Sequence, residues 1–198
     1  MNLALEAFQK CVAMEERSDA ESRELFRAQF GKSYYNIGMI YDKLGQVQLA
    51  SDSYKKSMET CENDPKKQLG KSATYKKAGT NYAVTLEKLS RRDDAVSTLM
   101  TLKDAFGNEV RVFNNLGIIQ KRKGEKQAAL ESYQAALNVD VKSFFPNYNM
   151  GVLLSQDRSK MDEALSYFNR ALEQAQKAQE NLYEINVLIN IALLHEAA

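Results

Sequence analysis

Residues 113–136 read FNNLGIIQKRKGEKQAALESYQAA, and this stretch decides the fold. A bulky Phe113 is followed by Asn115, two positions before Gly117. Ala129, Tyr133 and Ala136 then stand at fixed distances from that glycine. The same offsets recur in Tyr34-x-Asn36-Ile37-Gly38 with Ala50, Tyr54 and Ser57, and in Gly79-x-Asn81-Tyr82-Ala83 with Ala95, Leu99 and Leu102. They recur again in Asn147-x-Asn149-Met150-Gly151 with Ala164, Phe168 and Ala171, where one extra residue falls in the turn around Asp157 to Lys160. Two partial copies flank these units: Ala4-x3-Phe8-x2-Cys11 matches the second half of the pattern, and Leu188-x-Asn190-Ile191-Ala192 through His195 matches the first.

Ala83 to Gly117 and Gly117 to Gly151 are each 34 residues, whereas Gly38 to Ala83 is 45 and Gly151 to Ala192 is 41. The excesses, about eleven and seven residues, are close to three and two helical turns at 3.6 residues per turn. The longer units therefore lengthen helices without rotating their apolar faces. Cap signals agree. Ser18-Asp19-Ala20-Glu21 reads as a capping box opening a helix that runs to Gly45, and Asp64-Pro65 reads as a cap with a proline in the first turn of a helix ending near Leu89. Gly45 and Gly124 suit turns needing a positive φ. The pattern predicts ten helices: one half-unit, four full units and one half-unit.

Composition bounds the function. The chain has 198 residues, 44% hydrophobic and 27% charged, which is a globular balance. Lys+Arg is 27 against 26 for Asp+Glu, without the basic excess of a bulk nucleic-acid binder, so no nucleic acid is expected as partner. No apolar run reaches the roughly 18 residues that span a bilayer, so no membrane insertion is expected. The opening MNLALEAFQK is not read as a secretory leader. Two cysteines make no disulfide framework, and a reduced, cytoplasmic setting is expected. The single histidine, His195, takes the slot of Tyr41 and is expected to pack. Cys11 and Cys61 are expected to be inert. With one histidine, no metal-ligand spacing and no phosphate-cradling loop, no catalytic residue, metal or cofactor is expected.

The repeated pattern resembles the tetratricopeptide repeat, a 34-residue helix–turn–helix unit. The resemblance covers nearly the whole chain. It implies an all-α fold: an α-solenoid of such repeats wound into a right-handed superhelix. The expected layout is one repeat domain over 1–198, with a half-repeat at 1–17, repeats at 18–63, 64–106, 107–141 and 142–177, and a half-repeat at 178–198. In the family the small slots Gly38, Ala83, Gly117, Gly151 and Ala192 sit where the first helix of a repeat meets the second. Ala50, Ala95, Ala129 and Ala164 face them, and Tyr54, Leu99, Tyr133 and Phe168 fill the core. Both ends are half-repeats, so Leu188, Ile191 and Leu194 are expected to present an uncovered apolar face. Either a longer array continues, or a partner or a second copy of the chain covers it.

The asparagine two before the small slot occurs in all five units: Asn36, Asn81, Asn115, Asn149 and Asn190. Two residues along a helix is about 200° of rotation, so this side chain points away from the helix-pair contact. In the family that direction is the concave groove. Residues four before share the face (Lys32, Lys77, Arg111, Phe145, Asn186), as do residues three after (Met39, Val84, Ile118, Val152, Leu193) and seven after (Lys43, Lys88, Arg122, Gln156, Ala197). The stripe reads basic–Asn–apolar–basic in three units and turns aromatic at Phe145. A carboxamide carries a donor and an acceptor, matching a peptide backbone. Family members that clamp a free carboxylate carry a lysine before the asparagine and a second asparagine after it. Here Tyr35, Thr80, Asn114 and Tyr148 stand before it, which argues against that mode.

The expected function is therefore a non-enzymatic protein-interaction scaffold that takes a partly acidic peptide in its groove. The contacts would come from the five asparagines, from Lys32, Lys77, Arg111, Lys43, Lys88 and Arg122, and from Tyr35 and Tyr148. The alternative is a structural subunit of a larger assembly, such as a ciliary or cytoskeletal one, joined through its convex face and open repeat ends with possible self-association. A third reading is a non-catalytic domain of a multidomain enzyme.

Overall fold

The computed structural model describes residues 3–62 and 72–197. Among them are ten α-helices and no strand: α1 (Leu3–Arg17), α2 (Ala20–Lys43), α3 (Val47–Glu62), α4 (Ala73–Lys88), α5 (Arg92–Phe106), α6 (Val110–Lys123), α7 (Lys126–Val139), α8 (Phe144–Leu154), α9 (Met161–Ala178) and α10 (Asn181–Ala197). The expected all-α repeat fold is present. The helices fall into two compact units, Met1–Gly107 and Asn108–Ala198. Within each unit consecutive helices pack as antiparallel neighbours, and first helices of successive hairpins also touch: α2 with α4, and α6 with α8.

Three of the hairpins, α2–α3, α6–α7 and α8–α9, close through one recurring contact. A Cβ placed on Gly38 would lie 2.7 Å from the ring of Tyr54, one on Gly117 2.5 Å from Tyr133, and one on Gly151 2.7 Å from Phe168. No side chain fits there, so the ring lies directly against the bare backbone of the facing helix. Ala50, Ala95, Ala129 and Ala164 are fully buried beside Tyr54, Leu99, Tyr133 and Phe168. In the second unit this core continues through Met150, Leu153, Leu154, Val187 and Leu194. The ring matters more than its hydroxyl. The Tyr133 hydroxyl is buried without a hydrogen-bond partner, and burial pushes it up from the ordinary phenol value. The equivalent slot in the next hairpin is filled by a phenylalanine.

Helix ends show where the sequence reading shifts. The capping residue of α2 is Asp19 rather than Ser18: its carboxylate accepts from the Ser22 N–H at 2.7 Å. The Ser18 hydroxyl instead donates to the Met14 carbonyl at the end of α1. Each side chain takes the orphan backbone group nearest to it. The backbone hydrogen bond from Ser22 holds the Asp19 carboxyl below its ordinary value. The expected cap at Asp64-Pro65 lies outside the described residues, and α4 opens at Ser72, whose hydroxyl accepts from the Tyr75 N–H at 3.2 Å. Gly45 and Gly124 have φ of +71° and +84°, as their turns require.

Two further expectations change. Ala192 is exposed and not pressed into a hairpin. Leu194 and Ile191 pack against the core, whereas the open face of α10 carries Leu182, Ile185, Leu188, Ile189 and Leu193. The rotation follows from α9, which covers the Val187–Leu194 side. His195 is likewise exposed instead of packed. One side chain that the sequence reading places in the bulky slot of its unit instead fixes the junction before α8. Asn147 is fully buried, and its amide donates to the carbonyls of Val141 at 2.9 Å and Ser143 at 2.8 Å.

Substituting the glycine and the ring should have opposite signs. Gly117→Ala should lower the unfolding free energy by about 1–3 kcal/mol through overpacking against Tyr133, although alanine is the better helix former. Tyr133→Phe should raise it by about 1 kcal/mol by removing an unpaired buried hydroxyl. Urea denaturation of both variants measures the difference.

Candidate functional site

In the second unit, α6, α8 and α10 carry Asn115, Asn149 and Asn190, and all three side chains are half-buried. Asn149 Nδ2 donates to Asn114 Oδ1 at 3.0 Å, tying α8 to α6. Asn190 Nδ2 donates to the Tyr148 hydroxyl at 3.1 Å and to the Asn186 carbonyl at 2.8 Å, tying α10 to α8. The sequence reading gives each amide a donor and an acceptor for a ligand. In these two the donor is already engaged between helices, and the carbonyl oxygen is the end that remains. The Asn115 side chain makes no hydrogen bond among the described residues.

A cleft of about 580 Å³ opens between α6 and α8. Val110, Arg111, Asn114, Asn115 and Ile118 form one wall; Ser143, Phe145 and Pro146 form the other. Helical spacing explains the first wall, since positions 111, 115 and 118 lie on one face. Asn114 is only 7% exposed and is held in place by Asn149. Phe145 is 50% exposed but braced. It meets Phe144 edge-on at 5.2 Å and Tyr183 edge-on at 5.5 Å. Phe144 in turn stacks on Tyr148 at 5.8 Å and on Tyr183 at 4.9 Å.

In the first unit Asn36 and Asn81 are half-buried, and Lys32, Lys43, Lys77 and Lys88 are exposed. Lys88 Nζ lies 2.7 Å from Asp42 Oδ1, so α4 and α2 are bridged and this lysine's charge is met by a carboxylate. The Tyr35 ring tilts against Tyr54 at 5.9 Å, toward the hairpin interior. Arg111 and Arg122 in the second unit are exposed. Beside Arg122, Lys121 is half-buried, and burial pulls its amine below the ordinary lysine value; Lys123 pairs with Glu125 at 2.7 Å.

Sequence reasoning thus places Arg111, Asn115 and Phe145 at one cleft. It misses Asn114, Ser143, Pro146 and the bracing aromatics Phe144 and Tyr183. The run Phe144-Phe145-x2-Tyr148 is the signal for part of this; Tyr183, on another helix, has none. Among the described residues no group of acidic, histidine or cysteine side chains is arranged to hold a metal. No helix among them is long and apolar enough to cross a membrane.

The tetratricopeptide repeat family model matches residues 31–64 and 110–140, which correspond to the α2–α3 and α6–α7 hairpins. The chain carries tetratricopeptide repeats. Among solved structures it is similar to BtubC (BKLC) from P. vanneervenii, with a TM-score of 0.73 and 18% identity over 96% of this chain and 84% of that one. MamA from Desulfovibrio magneticus RS-1 aligns at a TM-score of 0.61 and 15% identity, over 91% of this chain and 99% of that one. SycD, a type III secretion translocator chaperone of Yersinia enterocolitica, aligns at a TM-score of 0.58 and 19% identity, over 64% of this chain and 96% of that one. At these identities the likeness is one of fold. A search of curated proteins finds no match in sequence.

The tetratricopeptide hairpins of the second unit should be coupled through their amides. A double-mutant cycle of Asn114→Ala and Asn149→Ala should give a coupling energy of about 0.5–1.5 kcal/mol, read from denaturant unfolding of the four chains.

Proposed function

We propose that this protein is a non-enzymatic, cytoplasmic interaction scaffold that holds an extended, partly acidic peptide segment of a partner. The observation that carries the reading is the convergence of Arg111, Asn115 and Phe145 on one open cleft between first helices. Asn115 supplies a whole amide, and Asn149 and Asn190 supply carbonyl oxygens, for the backbone of an extended chain. Each such bond contributes about 0.5–1.5 kcal/mol. Tyr148 is a support in this arrangement, because its ring is stacked and its hydroxyl receives Asn190. Arg111 and Arg122 add attraction for carboxylates and faster encounter. In the first unit Asn36, Asn81, Lys32, Lys43 and Lys77 form a second amide-and-lysine surface, while Lys88 is better accounted for by Asp42. A random dodecapeptide library panned against the whole chain tests this. Selected peptides should lose at least tenfold in affinity on Asn115→Ala combined with Asn149→Ala, and should bind less tightly as salt rises. Unchanged affinity in that folded variant would falsify the groove reading.

A second reading rests on the open face of α10. Leu182, Ile185, Leu188, Ile189 and Leu193 make a contiguous exposed apolar strip, the kind of surface that joins subunits. On this reading the protein is a structural subunit of a larger assembly. Light scattering over a dilution series should show concentration-dependent association that Ile185→Glu with Ile189→Glu abolishes. A monomer at every concentration removes self-association.

A further inference from the structure

We propose that a second copy of this chain covers the open face of α10 with its own α1, so that copies join end to end by completing a tetratricopeptide hairpin between them. This rests on the assembly reading above, and it names the partner and the surface that partner uses. The internal α6–α7 hairpin supplies the template. Gly117 and Gln120 face α7: the Tyr133 ring covers Gly117, and Gln120 Oε1 accepts from the Ser132 hydroxyl at 2.6 Å. Phe113 lies one turn earlier on the same side of α6. In α10 that register falls on Leu188, Ala192 and His195, and all three are exposed. Across the hairpin, Ser132, Tyr133 and Ala136 of α7 are buried. In α1 that register falls on Ala7, Phe8 and Cys11. No residue of α1 is buried: Ala7 is exposed, and Phe8 and Cys11 are half-buried.

The two faces are complementary halves of one unit. α10 presents the small slot of a first helix, and α1 presents the ring and small residues of a second. Ala83, fully buried in the α4–α5 hairpin, shows that the slot takes an alanine as well as a glycine. Charge agrees with the pairing. Ile185, Leu188, Ile189 and Ala192 carry none, and neither do Ala7, Phe8 and Cys11, so the contact traps no unpaired ion. Pairing α10 with another α10 would set branched side chains against their own kind and leave Phe8 as exposed as before. The area sets the strength. One helix from each copy is a smaller contact than the about 1,200–2,000 Å² of stable complexes, so the association is reversible and grows with concentration. The joined surfaces differ, so each added copy brings a further face of both kinds, and growth continues past two copies.

The test is sedimentation equilibrium on the whole chain and two variants. Ala7→Lys blocks the α1 face and Ala192→Lys the α10 face. Both positions are exposed, so far-ultraviolet circular dichroism and the melting temperature should stay at the parent's. Both new residues are lysines, so the two altered faces repel each other. The parent should pass from monomer to species larger than a dimer as concentration rises. Each variant alone should associate at least about tenfold more weakly, since each contact would bury an unpaired ammonium. An equimolar mixture of the two should form a one-to-one dimer at parental strength and nothing larger, because one intact face of each kind remains. If Ala7→Lys associates as the parent does, or if the mixture stays monomeric, the end-to-end pairing is overturned and self-association through α10 stands. If the parent is a monomer at every concentration, self-association falls with it.

Discussion

An aromatic ring lying on a helix that has no side chain at the point of contact is the constraint on which the α2–α3, α6–α7 and α8–α9 hairpins depend. Gly38, Gly117 and Gly151 admit Tyr54, Tyr133 and Phe168 to within van der Waals contact of backbone. The alanines beside them complete the close approach, and the rings are wholly or almost wholly buried. Once a hairpin is closed this way, the orientation of its first helix is set. That in turn decides which side chains remain on the far side. The asparagine two residues before the glycine is carried there by helix geometry alone.

Two kinds of tie then operate in the second unit. Apolar rings close each hairpin, and carboxamides lace the first helices of neighbouring hairpins together. Asn149 to Asn114 and Asn190 to Tyr148 are cross-helix bonds with no counterpart in local sequence. They spend the donor half of each amide on architecture and leave the acceptor half unengaged. The first unit solves the same problem with charge, since Lys88 and Asp42 bridge α4 and α2. A solvated ion pair is the weaker and more salt-sensitive of the two ties.

The helices, their order and their small-residue contacts were legible because the pattern repeats at fixed offsets, and each offset has one steric explanation. Tyr54, Leu99, Tyr133 and Phe168 could be placed in the core because their spacing matches the core slots of the tetratricopeptide pattern. The limits of that reading are also physical. Ser18 and Asp19 are adjacent and both can cap, and the choice between them depends on where α1 stops. Leu188, Ile191 and Leu194 lie on a helix whose apolar residues are spread around its circumference, so periodicity cannot say which side α9 covers. The cleft was half visible. Arg111, Asn115 and Phe145 follow from register, whereas Asn114, Pro146 and Tyr183 join it through packing between helices distant in sequence. Asn147 looked like one more bulky slot and is instead a buried amide holding a loop.

That loop has a bearing on how such an array can change length. The chain from Val141 to Ser143 is strapped to the interior by a single carboxamide that reaches two carbonyls. The extra residue of the fourth hairpin sits instead in the turn at Arg158–Lys160, where Asp157 takes up the Ser159 N–H and hydroxyl in open solvent. The junction before α8 is thus closed to insertion, and the bend before α9 is the elastic one. Foreign segments spliced into this repeat unit would be accommodated at the latter and would dislodge α8 at the former.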